Sequence, residues 1–173
     1  MVRLGWVKCL GFSLMTLAMA YAQGADTALS DILKVPAGNR LVLSVHAKGD
    51  QIYQCKLEQG QYAWQLVAPD ARLLDDKGEI VGKHFKGPSW QLNSGSLLTG
   101  RLLAKQDKAQ EGAVAWLLLA VAENNGAGIL SGAKFIKRIN TQAGLPPEMV
   151  CNTNHLGLEK RIPYQADYVF YGD

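Results

Sequence analysis

The sequence is short of the features that mark most function classes. Its 173 residues include three histidines and three cysteines, and aromatic residues make up only 8%. The 18 Lys and Arg nearly balance the 15 Asp and Glu, so there is no charge excess of the kind that grips a nucleic-acid backbone, and no nucleic-acid partner is expected. The chain has one apolar run, at its N-terminus, which is too short for the roughly 20 residues of a spanning helix; no stable membrane span is expected. Gly-x-Ser-x-Gly, His-Glu-x-x-His, Walker and EF-hand patterns are all missing, which removes the common hydrolase, protease, nucleotide and calcium signatures. What is present is apolar content: 48% of the residues can enter a core, which excludes a disordered chain and points to a globular domain.

The first residues read as an address. Arg3 and Lys8 precede the apolar stretch Leu10 to Ala20, and Ala20-Tyr21-Ala22 has the small-x-small form of a cleavage site, so residues 1–22 are expected to be a secretory signal peptide and the protein periplasmic or secreted. Cleavage there discards Cys9 with two basic residues and no acid, leaving 16 basic against 15 acidic residues. That charge implies no partner, and nothing in the sequence points to an oligomeric state.

Two cysteines then remain, Cys55 and Cys151, in an oxidising compartment. One disulfide between them is the natural expectation, with a pair of free buried thiols as the alternative.

After a lead segment at residues 23–34, with one or two helical turns expected over Asp26 to Lys34, hydrophobicity alternates with a period of two. Leu41, Leu43, Val45 and Tyr53, Cys55, Leu57 mark two strands; Tyr62, Trp64, Leu66 follow the turn at Gly60, so residues 51–68 form a hairpin. Further short strands are expected at 72–74, 80–81, 89–92, 97–103, 114–121, 134–141 and 168–171, separated by Gly-, Asn-, Asp- and Pro-rich turns. Trp116-Leu117-Leu118-Leu119 lacks polar alternation and is expected to be covered on both faces. Residues 104–112 read as a solvated loop or helical turn, and 142–163 as a long segment wrapping the surface, pinned by Cys151. The fold class is all-β over residues 35–173: a single-domain antiparallel β-sandwich or β-barrel with a long C-terminal wrapping segment.

Gly82-Lys83-His84-Phe85-Lys86-Gly87-Pro88-Ser89-Trp90, followed by Asn93-Ser94-Gly95-Ser96, resembles the DUF3455 family of exported bacterial and fungal proteins. Tyr53-Gln54-Cys55, Ala68-Pro69-Asp70-Ala71, Phe135 to Thr141, Cys151 and Pro163 to Tyr171 agree, and the resemblance runs from Val35 to Tyr171. It implies an architecture and a compartment but no chemistry, because the family has no established biochemical function. Two departures stand out. Members usually carry Gly-Gly where this chain has Ala143-Gly144, and Asp-Gly-Ser where it has Ser94-Gly95-Ser96; the second removes a carboxylate from beside the His84 segment.

Candidate site residues are few. His84 sits in a Gly- and Pro-bracketed segment and has the chemistry for base, acid or ligand work, against the plainer role of bonding a loop carbonyl. Gly87, Pro88 and Trp90 adjoin it, where Trp90 either packs in the core or faces a groove. Trp64 and Trp116 read as core. Arg138, with Tyr164 and Asp167, is expected in a buried ion pair or hydrogen-bond network, and gains a binding role only if it opens into the same cavity as His84. His46, His84 and His155 show no ligand spacing, so no metal is assigned. Asp75 and Asp76 read as turn carboxylates that are solvated or cap the backbone. Gly126-Ala127-Gly128-Ile129-Leu130-Ser131-Gly132 lacks the spacing of a dinucleotide loop; it reads as a tight turn between strands, and no cofactor is expected.

Three readings follow: an exported module binding a small molecule or envelope component near His84, Gly87, Pro88, Trp90 and Arg138; a secreted hydrolase or isomerase with His84 as acid or base, oriented by Asp167 or another carboxylate; and a structural envelope protein.

Overall fold

The structure is a computed structural model that describes residues 31–107 and 109–173. The expected signal peptide and most of the lead segment lie outside the described residues. Of that lead, Lys34 N–H donates to Asp31 O at 3.2 Å, closing a turn, and Leu33 is buried.

Eight antiparallel strands close into one barrel: β1 (Arg40–Glu58), β2 (Gln61–Leu74), β3 (Ile80–Phe85), β4 (Ser89–Leu92), β5 (Leu97–Gln106), β6 (Trp116–Asn125), β7 (Ala133–Ala143) and β8 (Glu159–Gly172). Each strand pairs with its sequence neighbour, and β1 pairs with β8 to complete the ring. The all-β expectation holds, with the barrel as its form. Closure leaves no free sheet edge.

Three strands run on where the sequence suggested they would stop. Leu41 to His46 and Ile52 to Leu57 belong to the single strand β1, running through Gly49. That glycine is required by packing: a Cβ there would collide with the Asp70 carbonyl and with Ala71 across the β1–β2 ladder. Likewise β2 passes through Pro69, opposite Gln51, and β8 through Pro163, opposite Asp50. A bulge at Ile52/Tyr53 absorbs the irregularity on the β1–β2 side.

Inward positions follow from register. Gly49, Ala71, His84, Trp90 and Leu98 lie opposite one another across five consecutive strands; Ala47, Leu73, Gly82 and Leu92 form the next layer. Val45, Ile136, Tyr168 and Phe170 complete the core. Outward positions carry charge: His46, Lys48 and Asp50 on β1, Arg161 and Asp167 on β8. This is the inverse of a lipid-facing barrel, whose outer band is apolar. No helix among the described residues is long and apolar enough to cross a membrane. The expected cover on both faces of β6 holds at Leu119, which enters the core, and at Leu118, which is 5% exposed on the outer face; Trp116 and Leu117 are half-buried and Ala122 to Asn125 are exposed.

Residues 142–143 end β7 and residues 159–163 begin β8, so of the segment expected to wrap the surface over 142–163 only residues 144–158, the connection between β7 and β8, do so. The Cys55–Cys151 disulfide ties it to β1. Hydrogen bonds add to the tie: Tyr53 OH to Gly144 O (2.7 Å), Trp64 Nε1–H to Met149 O (2.6 Å), Gly157 N–H to Cys55 O (2.9 Å) and Cys55 N–H to Leu158 O (3.0 Å). Trp64 is therefore a half-buried clasp on this segment, not a core residue.

Candidate functional site

In an up-and-down barrel the connections alternate between ends. The β1–β2 hairpin, the Lys86-Gly87-Pro88 turn, the β5–β6 loop and the disulfide-tied segment share one end; the β2–β3, β4–β5 and β6–β7 turns share the other. Eight strands make an interior just wide enough to fill with side chains or to hold one small ligand. Here both occur. Trp90, Leu73, Leu98, Ile136 and Phe170 fill the middle, and at the first end a cavity of about 360 Å³ remains, bounded by Gln51, Leu66 to Pro69, His84, Lys86 to Pro88, Leu117 and Arg138.

His84 comes from β3 and is 3% exposed. Its ring stacks on Trp90 with centroids 4.5 Å apart and planes 16° apart, and tilts against Tyr168 at 4.7 Å. Nδ1 lies 2.8 Å from the Ser89 carbonyl, which can only accept, so Nδ1 carries the proton and Nε2 is an acceptor. Burial lowers the His84 pKa to about 3; Arg138 adds to the depression, while the Ser89 carbonyl opposes it. The imidazole is neutral at physiological pH. A group with so little proton affinity is poorly poised as an acid or base near neutrality.

Trp90 is 1% exposed and packed, so it belongs to the core and supports the cavity from beneath instead of lining a groove. Room for its indole is made by Gly100, where a Cβ would stand 2.9 Å from Trp90 Cζ3 and 3.1 Å from Leu119 Cδ2. Gly87, with φ of 144°, and Pro88, joined to it by a cis peptide bond, form the rim.

Arg138 projects from β7 on the inward row, between Leu117 of β6 and Tyr168 of β8. Its Nε–H and Nη2–H both donate to Ala115 O, at 3.0 and 2.8 Å. The expected ion pair with Asp167 does not form, because Asp167 stands opposite Ile139, one residue along the ladder, and therefore points outward. There it orients His46, at 2.6 Å from Nδ1, and accepts from Asn140 Nδ2 at 2.7 Å, so it does not orient His84. Asp76 reaches His46 Nε2 at 3.3 Å, and its neighbour Asp75 caps its turn by accepting from Lys77 N–H and Glu79 N–H.

Gln51 was not distinguished by any sequence motif. It is 1% exposed, faces the cavity, and neither its amide nitrogen nor its amide oxygen has a hydrogen-bond partner. Thr141 Oγ1 is also buried without a partner, the Tyr164 and Tyr168 hydroxyls stand against each other, and burial raises the pKa of both tyrosines. Trp116 is half-buried on the outward row of β6 and is not part of the core cluster. The three histidines stand apart: His46 outside, His84 inside, and His155 in the wrapping segment at 2.8 Å from Val150 O. Among the described residues no group of three or more His, Cys, Asp or Glu side chains is placed to hold a metal ion.

The Ser94-Gly95-Ser96 departure lies at the other end of the barrel. Ser96 donates to Ala127 O at 3.0 Å, and Gly126 and Gly128 pack closely on this turn, so a carboxylate there would not stand beside His84. A larger concavity of about 630 Å³ flanks β1, β2 and β8 on the outside of the barrel; there Arg161 bonds Asp50 at 3.0 Å and also bonds Asp70, with Lys48 and Arg72 beside them.

No curated protein and no solved structure matches this chain. One family model does, that of DUF3455, described as a protein of unknown function, over residues 36–172. That match covers most of the sequence and the whole barrel, and the chain belongs to the DUF3455 family.

Proposed function

We propose that this protein is an exported small-molecule-binding module, working as residues 23–173 after loss of residues 1–22, and that its site is the cavity at the disulfide-tied end of the barrel. The observation that carries the reading is the meeting of His84, Arg138 and the unpartnered Gln51 amide on one cavity, with Gly87 and Pro88 at its rim. A buried amide without a partner costs on the order of 1–3 kcal/mol, and a ligand that bonds it recovers part of that cost. Leu66, Val67, Pro69 and Leu117 supply apolar walls around these few polar groups, the usual make-up of a small-molecule site, and the volume falls at the small end of such sites. The neutral imidazole serves as a hydrogen-bond acceptor and apolar surface.

The test is a ligand-observed NMR screen of small organic molecules against the exported protein and a Leu117→Trp variant, whose larger side chain fills the cavity. Ligands that bind the wild type and are lost from the folded variant are expected. The reading fails if every ligand found binds both proteins equally, or if none is found.

A further inference from the structure

We infer that the ligand is a small organic monoanion, a carboxylate carried on an apolar body, and that Arg138 is the residue that anchors it. The inference rests on the binding reading above and goes beyond it by fixing the charge and shape of the ligand. Among the described residues Arg138 forms no ion pair. The cavity wall holds two cations, Arg138 and Lys86, and no Asp or Glu. Lys86 is exposed at the rim, so Arg138 is the cation set within the barrel. Its charge reaches Tyr53, His84, Tyr164 and Tyr168, depressing the pKa of each against the effect of burial on the tyrosines. The interior is therefore electropositive and uncompensated, and an anion entering it meets attraction from a group that already bears the cost of partial burial.

Geometry narrows the class. Nε and Nη2 donate to Ala115 O, which fixes the guanidinium plane, and the Tyr168 hydroxyl stands against the same group; a ligand in the cavity would take the donors that remain. A planar donor edge suits a carboxylate. The Gln51 amide supplies a second buried donor, and the remaining wall is apolar. A single interior cation matches one negative charge, and a polyanion would bring charges that nothing here neutralises. A charge-assisted bond of this kind corresponds to about a ten- to hundredfold gain over a neutral isostere.

The experiment compares 4-tert-butylbenzoate with 4-tert-butylbenzamide, of nearly equal shape, by NMR titration of wild-type protein and of the Arg138→Met and Arg138→Lys variants, with thermal melting to establish that each is folded. The expected result is a preference for the carboxylate of about tenfold or more in the wild type, lost in Arg138→Met and partly retained in Arg138→Lys. Should the wild type bind both equally, or bind only neutral molecules from the screen, the anion inference is overturned while the cavity remains a binding site. Should neither probe bind and the screen also find nothing, both fail together. The wild-type comparison decides the matter even if Arg138→Met does not fold.

Discussion

His84 lies flat on Trp90, ring centroids 4.5 Å apart and planes 16° apart, with its Nδ1–H held by Ser89 O. The stack makes His84 part of the barrel's packed middle on one side and part of the cavity wall on the other. A histidine in this setting is a sensor of burial before it is a chemical group.

Stability should fall in acid because of it. The His84 pKa is about 3 in the fold and near 6.5 in the unfolded chain, so between those values the unfolded state binds the extra proton. Stability is full above pH 6.5 and declines as the pH falls toward 3, by on the order of a few kcal/mol. Denaturant titrations at pH 7 and pH 4 measure it; a His84→Phe variant, which keeps an aromatic ring against Trp90, should lose most of that slope.

His46 should act in the opposite sense. The hydrogen bond to Asp167 raises its pKa, with Asp76 adding to the effect and slight burial opposing it. Its contribution is present below the unfolded value near 6.5 and is lost as pH rises through the raised folded value. The pair is solvent-exposed, so the energy is small. In an NMR titration the His46 pKa should drop toward 6.5 in Asp167→Asn; an unchanged value would show that the contact is not made in solution.

Gly100→Ala should destabilise the barrel by about 1–3 kcal/mol, the usual range for overpacking. Elsewhere in a strand the same change would stabilise. Here the added methyl meets the Trp90 ring and Leu119, both buried in the core. Thermal melting measures the effect, and a neutral or raised melting temperature would show that the core is looser than described.

Removing the disulfide with Cys55→Ser and Cys151→Ser should cost about 4–5 kcal/mol by the loop-entropy argument, since the bridge spans 96 residues. The wrapping segment should loosen first, with faster exchange of the Gly157 amide, which donates to the carbonyl of residue 55, and of the residue 55 amide, which donates to Leu158 O. Unchanged exchange there would mean that the hydrogen bonds alone hold the segment.

Much of the fold was legible because it is local. Alternation marked the strand faces, and the turns at Gly60, Gly78, Gly95 and Gly126 separated them. Export and an even cysteine count pointed to the Cys55–Cys151 bridge. Strand lengths were less legible: the expected strands stopped short of Gly49, Pro69 and Pro163, yet each of these sits inside a ladder. Closure into a barrel depends on β1 meeting β8, a pairing that no local pattern encodes.

The site divides in the same way. His84, Gly87 and Pro88 came from one short motif, and the structure puts them on one cavity. Arg138 was a polar residue in a strand-like run, and its inward direction became visible only through its register with Leu117 and Tyr168. Trp90 proved to be core. The link drawn between Asp167 and His84 failed on parity, since adjacent residues of β8 face opposite sides. Gln51 carried no motif, and what puts it inside is parity alone: it falls on the row of Val45, Ala47 and Tyr53 once β1 is seen to run unbroken through Gly49.

The most direct measurement is an NMR titration of the protein with 4-tert-butylbenzoate, following the Gln51 side-chain amide and the Arg138 Nε–H signals. Saturable shifts of both, with Leu117 moving alongside them and the outer residues His46 and Arg161 still, are the predicted result. Saturation elsewhere on the surface with Gln51 and Arg138 unmoved, or no binding by this probe or by any molecule in the screen, would contradict the account.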